Sequence, residues 1–267
     1  MKPVPTDPTR LLPAGVSWEP VVVGESGAAV FRRGDGAAYA KCSASVRDLR
    51  DERDRIAWLA RTELPCPEVV EWHENDDGAC LVSTAVDGIR ANAVPAAAVP
   101  ALLKSLARLV RRLHAIPVET CPFDRGLSVT LPVAEEVVRR GAVNPDYLHP
   151  SDRQTPPVEL LASLQVQRDR LQRLEQADRV VCHGDACLPN FLVDPETFEC
   201  VGLIDLGRLG VADRYLDLSV IAANLGSGDD PQFSPTDAGV VLRAYGLADP
   251  DPDRLRRYQL LDALSWG

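Results

Sequence analysis

The stretch from Val180 to Asp217, which reads VVCHGDACLPNFLVDPETFECVGLIDLGRLGVADRYLD, decides how the rest of the chain is interpreted. It contains two short apolar runs, Val180–Cys182 and Val201–Ile204, of the length and composition that predict buried strands. Each run ends in a polar group, HGD after the first and DLGR after the second. Functional side chains often follow strands in this way, because a rigid strand fixes the loop that carries them.

Three residues of this stretch have the types and the spacing that phosphoryl transfer requires. Asp185 is predicted to accept the proton of a substrate hydroxyl, and Asn190, five residues further on, to reach a metal ion. Asp205, at the end of the second run, is predicted to hold Mg²⁺ against the β- and γ-phosphates of a nucleotide. Each of the three is also an ordinary turn residue, so the prediction depends on the ordered set.

A zinc site at Cys182, His183 and Cys187 is the second interpretation of the same residues. This interpretation lacks another ligand pair at normal spacing, because Cys200 stands alone downstream. We interpret His183 as a side chain that orients the loop rather than as a base, since Asp185 occupies the position expected for the proton acceptor.

The motifs HGDxCxPNF and GLIDLGRLGxADRYxDL resemble those of the aminoglycoside phosphotransferases, which are antibiotic-resistance kinases with a protein-kinase-like fold. Within that family, GESGxxVFRRGDG, GACLV, AVNPDYL and the closing LLDALSWG are most similar to the branch that phosphorylates streptomycin. The resemblance extends over nearly the whole chain. It implies ATP as the phosphate donor, the 3″-hydroxyl of streptomycin as the acceptor, and antibiotic resistance as the result.

The composition limits the possible partners and location. The 267 residues allow one large domain or two lobes, and the net charge of −10 argues against nucleic acid while suiting a polycationic small molecule. The seven cysteines lack paired spacing, which favours reduced thiols in the cytoplasm. The first residues, MKPVPTDPTRLLPAG, have no apolar core of the signal-peptide type, and no run approaches about 20 apolar residues, so we expect a soluble, cytoplasmic monomer that does not bind membranes.

The sequence predicts a small nucleotide-binding lobe over residues 1–84, built from an antiparallel sheet and one helix. After an irregular, proline-rich arm, strands Trp18–Val23 and Ala29–Arg32 flank a turn of small residues. Such a turn is suited to fold over nucleotide phosphates, with Gly27 permitting close approach of the backbone and Ser26 offering a hydroxyl or an amide.

The third predicted strand, Ala37–Cys42, carries Lys41, whose ammonium is predicted to bind the α- and β-phosphates. Tyr39 lies on the same face, because side chains alternate along a strand, and is predicted to stack on adenine. A helix over Arg47–Arg61, with Leu49, Ile56 and Leu59 as its buried stripe, would place Glu52 as the ion-pair partner of Lys41.

Two further strands, Glu68–His73 and Ala79–Thr84, complete the predicted sheet. The resemblance implies that the segment after the second of them is the hinge between the lobes. The backbone from Ser83 to Ala85 would then hydrogen-bond the edge of adenine.

Residues 85–267 are predicted to form a larger, mainly helical lobe that carries the catalytic loop and the aminoglycoside site. Six helices are predicted in this lobe, over Val99 to about His114, Pro132–Arg140, Val158–Gln176, Leu216–Leu225, Thr236–Tyr245 and Asp253–Leu264. We expect His114 to be a packing or capping residue. In kinase-like folds an aspartate placed like Asp217 supports the backbone of the catalytic loop.

Four residues are candidates for contacting the substrate: Asp152, Arg208, Asp262 and Gly267. Related 3′-phosphotransferases end in a pair of acids that bind the aminoglycoside, whereas here Ala263 replaces the second acid. Streptomycin carries two guanidinium groups, which pair bidentately with carboxylates such as Asp262 and the C-terminal carboxylate. Two alternatives stay open: a related kinase for another aminoglycoside or alcohol, and a nucleotide-binding module without turnover.

Overall fold

The structure is a computed structural model that describes residues 7–21 and 27–267. The chain divides into two compact units: the smaller comprises Met1–Gly88 with Val201–Gly207, and the larger comprises Ile89–Cys200 with Arg208–Gly267. The sequence predicts a single change of lobe after residue 84 and does not predict the return of the chain at Val201. This return is held by contacts within the smaller unit, where the Leu203 amide donates to the Pro65 carbonyl over 3.0 Å.

A five-stranded antiparallel sheet forms most of the smaller unit, with the strand order β1-β2-β3-β5-β4. Its strands are β1 (Trp18–Val21), β2 (Ala29–Arg33), β3 (Ala38–Ser43), β4 (Val69–Asn75) and β5 (Gly78–Thr84). Along β3, Ala38, Ala40 and Cys42 are buried, whereas Tyr39 and Lys41 are half-buried on the opposite face. The predicted shared face of Tyr39 and Lys41 is therefore confirmed.

Helix α1 (Val46–Leu59) packs against this sheet. It begins where the hydroxyl of Ser45 accepts a hydrogen bond from the Asp48 amide, and it buries the predicted stripe of Leu49, Ile56 and Leu59. The arm before β1, predicted to be irregular, contains a short 3₁₀ helix at Pro8–Leu11. Two local features explain that turn: the Asp7 carboxylate caps it, and its last residue is buried in the core of the sheet.

Seven helices build the larger unit: α2 (Val99–His114), α3 (Leu127–Arg139), α4 (Pro157–Val166), α5 (Arg168–Ala177), α6 (Tyr215–Gly226), α7 (Asp237–Tyr245) and α8 (Pro252–Leu264). The prediction of one helix over Val158–Gln176 is wrong, because the chain turns at Gln167, where φ is −92° and ψ is 0°. Leucines keep the same helical spacing on both sides of that turn, so the periodicity of the sequence does not reveal it.

Helix α3 begins at Leu127, earlier than the predicted start at Pro132, which lies inside it. A proline within a helix removes one backbone hydrogen bond. Here Leu127, Leu131, Ala134 and Val138 form a continuous buried stripe, and the packing of that stripe outweighs the missing bond.

Five short strands complete the fold: β6 (Ile89–Arg90), β7 (Arg179–Cys182), β8 (Phe191–Val193), β9 (Cys200–Leu203) and β10 (Gly210–Asp213). β7 pairs antiparallel with β10, and β6 pairs antiparallel with β8. The apolar runs predicted as strands correspond to β7 and β9. β6 and β8 are too short to produce a recognisable pattern, and β10, which reads GVAD, begins with glycine and ends with aspartate and so contains no apolar run of comparable length. Within the described ranges, no helix is both long and apolar enough to cross a membrane.

Candidate active site

In the smaller unit, a lysine and two acids from three different elements form one charged cluster. Lys41 projects from β3, and its Nζ donates to Glu52 Oε2 of α1 over 2.8 Å and to Asp205 Oδ1 over 3.0 Å. Asp205 follows β9, so the returning segment brings this carboxylate to the lysine. The predicted pairing of Lys41 with Glu52 is present.

The electrostatics of this cluster keep Lys41 protonated. Burial lowers the pKa of the Lys41 ammonium, but the carboxylates of Asp205 and Glu52 outweigh that effect and raise the pKa above its ordinary value. The Asp205 side chain is 38% exposed, whereas that of Glu52 is only 9% exposed. Glu52 is therefore placed to hold the lysine from inside the unit, and Asp205 is the member of the cluster that a ligand in solution can reach.

Asp205 has an uncommon backbone conformation. Its φ is +58°, and in the described part of the chain Phe198 is the other non-glycine residue with a positive φ. This left-handed region is unfavourable for most side chains but is tolerated by aspartate and asparagine. Strained backbone of this kind often occurs at functional sites, where the surrounding structure holds it in place.

Of the other residues predicted to contact the nucleotide, Gly27, Ser83 and Ala85 lie within the described part of the chain. Ser26 lies outside the described residues, and Gly27 adopts a left-handed φ of +69° that suits glycine. Ser83 lies opposite Tyr39 in the β3–β5 ladder. The amide of Ala85 donates to the Ala37 carbonyl over 2.9 Å, and the contact of the backbone from Ser83 to Ala85 with adenine stays a prediction.

In the larger unit, the loop after β7 holds Asp185 and Asn190 close together. Asn190 Nδ2 donates to the backbone carbonyl of Asp185 over 3.0 Å, and the Asp185 amide donates to His183 Nδ1 over 3.3 Å. His183 is fully buried, and this hydrogen bond supports its predicted role in orienting the loop. The amide of Leu188, between the two polar residues, donates to Asn224 Oδ1 over 2.8 Å.

Asp217, in the first turn of α6, supports this loop from behind. Its carboxylate accepts the amides of His183 over 2.7 Å and Gly184 over 2.9 Å, and its Oδ2 lies 3.0 Å from His114 Nε2. Burial favours the neutral acid, but the hydrogen bond and the charge of His114 outweigh it and lower the pKa of Asp217. Asp217 is therefore an ionised, fully buried support for the loop, as predicted.

Gly184 cannot be replaced without moving its neighbours. Its φ is +79°, and a Cβ atom built on it would lie 2.0 Å from the backbone carbonyl oxygen of Arg208. The glycine of the HGD motif thus satisfies both a left-handed backbone and a close approach of the chain that follows Asp205.

The candidate substrate residues Arg208 and Asp262 form a second cluster in the larger unit. The Arg208 guanidinium lies 3.5 Å from the ring centroid of Trp266, and its Nη1 is 3.8 Å from Asp262 Oδ1. Trp266 Nε1 donates to the same Asp262 oxygen over 3.3 Å. Burial raises the pKa of Asp262 to about 6 against the opposing charge of Arg208, and the nearby negative charge of Asp185 adds to the rise.

The other two substrate candidates, Asp152 and Gly267, make contacts within the protein, and their contact with a substrate stays a prediction. Asp152 forms a short ion pair with Arg256 of α8. Gly267 lies against α3, where a Cβ atom on it would lie 2.6 Å from the Val137 side chain and 2.9 Å from the Ala142 carbonyl oxygen.

The zinc interpretation gains no support from the positions of its residues. In the part of the chain that the structure describes, Cys182 groups with His114 and Asp217, with ligand atoms within 4.8 Å of one another, rather than with His183 and Cys187. His114 and Asp217 are already hydrogen-bonded, and Cys182 Sγ donates to the Asp213 carbonyl. Burial raises the pKa of the Cys182 thiol, which disfavours the thiolate that binds metals.

Sequence reasoning missed the functional contacts of His114, Tyr245, Asn224 and Trp266. The partners of His114 are 103 and 131 residues away along the chain, so local spacing contains no signal for them. Trp266 follows the predicted Asp262 by four residues, about one helical turn, and this spacing was the available signal.

Comparison with known proteins identifies the relatives of the chain. The pattern of the phosphotransferase enzyme family matches residues 12–258. The streptomycin 3″-kinase of Streptomyces griseus is 48% identical over 262 residues, which cover 97% of this chain and 96% of that protein. An aminoglycoside 3′-phosphotransferase of Streptomyces fradiae is 41% identical, with 92% of this chain and 94% of that protein covered.

A solved structure is similar over the same extent. The aminoglycoside phosphotransferase APH(3″)-Id from Streptomyces rimosus, in complex with ADP and streptomycin, matches with a TM-score of 0.86 and 44% identity. The match covers 94% of this chain and 93% of that one. These similarities confirm the predicted α/β fold of the protein-kinase-like type. On the family match and on the near-complete coverage of these relatives, the chain belongs to the phosphotransferase enzyme family.

Proposed function

We propose that this protein is an ATP-dependent kinase that transfers the γ-phosphate to the 3″-hydroxyl of streptomycin and thereby confers resistance to the antibiotic. The observation that carries the proposal is the loop around Asp185, held by Asn190 on one side and by Asp217 on the other. The choice of acceptor is supported by the 48% identity to the streptomycin 3″-kinase over nearly the whole chain.

In the proposed reaction, the Asp185 carboxylate accepts the proton of the 3″-hydroxyl. The hydroxyl oxygen forms a bond to the γ-phosphorus while the bond from that phosphorus to the β–γ bridging oxygen breaks, and ADP leaves. Lys41, kept protonated by Glu52 and Asp205, binds the α- and β-phosphates as a fixed positive charge. The protein contributes mainly position and charge neutralisation, because this reaction needs little covalent chemistry from side chains.

The donor atoms of Asp205 and Asn190 fit the proposed Mg²⁺. Both side chains offer oxygen ligands, which Mg²⁺ prefers. The amide nitrogen of Asn190 is used by the Asp185 carbonyl, which leaves its amide oxygen as the ligand atom. Bound there, the metal would neutralise the charge of the phosphates.

The test is to incubate the purified protein with ATP, Mg²⁺ and one of streptomycin, kanamycin or spectinomycin. We expect release of ADP with streptomycin and a product whose ³¹P and ¹H NMR spectra place the phosphate on the 3″-oxygen. Turnover with kanamycin or spectinomycin alone would instead support the alternative kinase. Nucleotide binding without turnover of any of the three would contradict the proposal.

Location is part of the same proposal. ATP is supplied in the cytoplasm, and all seven cysteines are free thiols, as expected for a reducing compartment. We therefore place the enzyme in the cytoplasm. Fractionation of expressing cells, with the phosphotransferase activity in the soluble fraction, tests this placement.

A further inference from the structure

We propose that Tyr245, on α7, is a positioning residue for phosphoryl transfer, acting through His114 and Asp217 on the backbone of the loop that carries Asp185. This proposal rests on the proposed function for its kinetic consequences. The hydrogen-bonded connection from Tyr245 to the loop is argued from the geometry alone.

The connection is a continuous series of buried hydrogen bonds. The Tyr245 hydroxyl lies 2.9 Å from His114 Nδ1, and His114 Nε2 lies 3.0 Å from Asp217 Oδ2. That same carboxylate oxygen accepts the His183 amide over 2.7 Å, and the other oxygen accepts the Gly184 amide over 2.9 Å. Three helices and the catalytic loop are thereby connected through three side chains.

The chemistry of the groups fixes the direction of the hydrogen bond between His114 and Asp217. An ionised carboxylate only accepts, so the proton between His114 and Asp217 belongs to Nε2. The other ring nitrogen, Nδ1, faces the Tyr245 hydroxyl, a group that can both donate and accept a hydrogen bond. Burial raises the pKa of Tyr245 to about 12 against the opposing charge of Arg214, so the phenol keeps its proton under any assay condition near neutrality.

Tyr245 therefore holds the His114 ring in the orientation in which Nε2 donates to Asp217. The two rings also meet edge to face, with centroids 5.4 Å apart and planes at 77°, which restricts rotation of the imidazole. Without the hydroxyl, Nδ1 would be buried without its hydrogen-bond partner, and the His114 ring would lose one of the two contacts that fix its orientation toward Asp217. The loop amides would then be held by a less constrained carboxylate.

The experiment compares Tyr245→Phe with Tyr215→Phe. Tyr215 is also buried, and its hydroxyl accepts a hydrogen bond from the Asp251 amide over 3.0 Å, so this control loses one buried hydrogen bond that does not lead to the loop. For Tyr245→Phe we expect kcat to fall about tenfold, equivalent to roughly 1.4 kcal/mol in the barrier. KM for ATP and for streptomycin should be unchanged, and Tyr215→Phe should keep the wild-type kcat.

Amide hydrogen exchange measured by NMR tests the connection independently of turnover. We expect the amides of His183 and Gly184 to exchange faster in Tyr245→Phe and at the wild-type rate in Tyr215→Phe. In a His114→Gln background, adding Tyr245→Phe should produce no further loss of kcat, because the connection is already broken.

Two results would overturn the proposal: wild-type kcat with wild-type exchange in Tyr245→Phe, or equal losses in both tyrosine variants, which would indicate general destabilisation. Failure of the wild-type protein to phosphorylate streptomycin would contradict the proposed function instead. The exchange rates of the loop amides would still decide whether Tyr245 acts on the loop.

Discussion

The charged cluster of the smaller unit and the loop support of the larger unit use aspartate in opposite ways. Asp205 is 38% exposed, bonds to a lysine side chain and occupies a left-handed backbone conformation. Asp217 is 1% exposed, bonds to two backbone amides and a histidine, and lies in a regular helix. Asp205 is accessible to a ligand, whereas Asp217, which fixes a backbone, is buried together with the groups that it bonds.

This difference predicts where a substitution acts. Removing an accessible functional carboxylate changes the interaction with substrates and leaves packing almost intact. Removing a buried carboxylate leaves its hydrogen-bond donors unsatisfied, which costs folding free energy. Substitutions at Asp185, Asp205, Asp217 and Asp262 test this distinction, in order of decreasing expected effect.

The largest effect is expected for Asp185→Asn. The asparagine is nearly the same size but cannot accept the substrate proton, so kcat should fall by about 10²–10⁴-fold, the usual cost of losing a general base. Nucleotide affinity and thermal stability should stay close to wild type. Steady-state kinetics with streptomycin, together with a nucleotide-binding titration, measure both quantities.

Asp76→Asn is the matched control, because Asp76 is an exposed residue of the turn between β4 and β5. It should be indistinguishable from wild type. If Asp185→Asn retained turnover within about tenfold of wild type, the assignment of the base would be wrong.

Asp205→Asn should lower Mg²⁺-dependent activity by about 10²–10³-fold, the range seen when one group that stabilises transition-state charge is removed. Asparagine tolerates the left-handed backbone, so unfolding should be little affected. Asp205→Ala should lose the same activity and unfold more easily, because alanine is strained at a φ of +58°. A magnesium titration with thermal denaturation separates the two variants; equal stability of both would show that the backbone of Asp205 is not strained.

Asp217→Asn should destabilise the fold, by about 1–3 kcal/mol, because its amide group faces a backbone N–H that needs an acceptor. The pKa of Asp217 is lowered from an ordinary value of 3.8, so its contribution to stability is present above that value and lost as pH falls through the lower, folded-state pKa. The free energy of unfolding, measured in urea, should therefore be lower for the variant than for wild type at pH 7, and this difference should narrow in strong acid. A difference in unfolding free energy that stays constant from pH 7 to strong acid would contradict the ionised state of Asp217.

Features that depend on the local pattern of residues could be predicted from the sequence. The contact between Lys41 and Glu52 and the proximity of Asp185 to Asn190 were predictable, because phosphoryl transfer demands these residue types in this order, while their roles stay predictions. The helices with long leucine stripes were predictable for a similar reason, since periodicity is a local property.

What escaped prediction depends on contacts between distant segments. His114 ends an ordinary amphipathic helix, and its partners come from α6 and α7. Segment 201–207 belongs to the smaller unit, where its contacts include the Asp205–Lys41 ion pair and the hydrogen bond from Leu203 to Pro65, and no local pattern encodes these contacts. The turn at Gln167 likewise leaves the leucine spacing unchanged.

The smallest effect is expected at Asp262. This residue combines properties of Asp217 and Asp205, because it is largely buried yet proposed to contact the substrate. Burial raises its pKa to about 6, so at pH 5.5 roughly three quarters of the carboxyls are protonated and unable to pair with a guanidinium. Streptomycin affinity should fall about fourfold between pH 7.5 and pH 5.5, and Asp262→Asn should bind weakly with no such dependence.

Isothermal titration of streptomycin is the appropriate measurement, because it does not depend on the ionisation of Asp185 in turnover. The raised pKa has a second consequence of opposite sign: stability from Asp262 is fully present below the ordinary value of 3.8 and is lost as pH rises through about 6. Asp262→Asn should therefore lose affinity while resisting unfolding at pH 7.5 better than wild type, the reverse of Asp217→Asn. If Asp262→Asn instead unfolded more easily and bound streptomycin normally, Asp262 would be a structural partner of Arg208 and Trp266 rather than a substrate ligand.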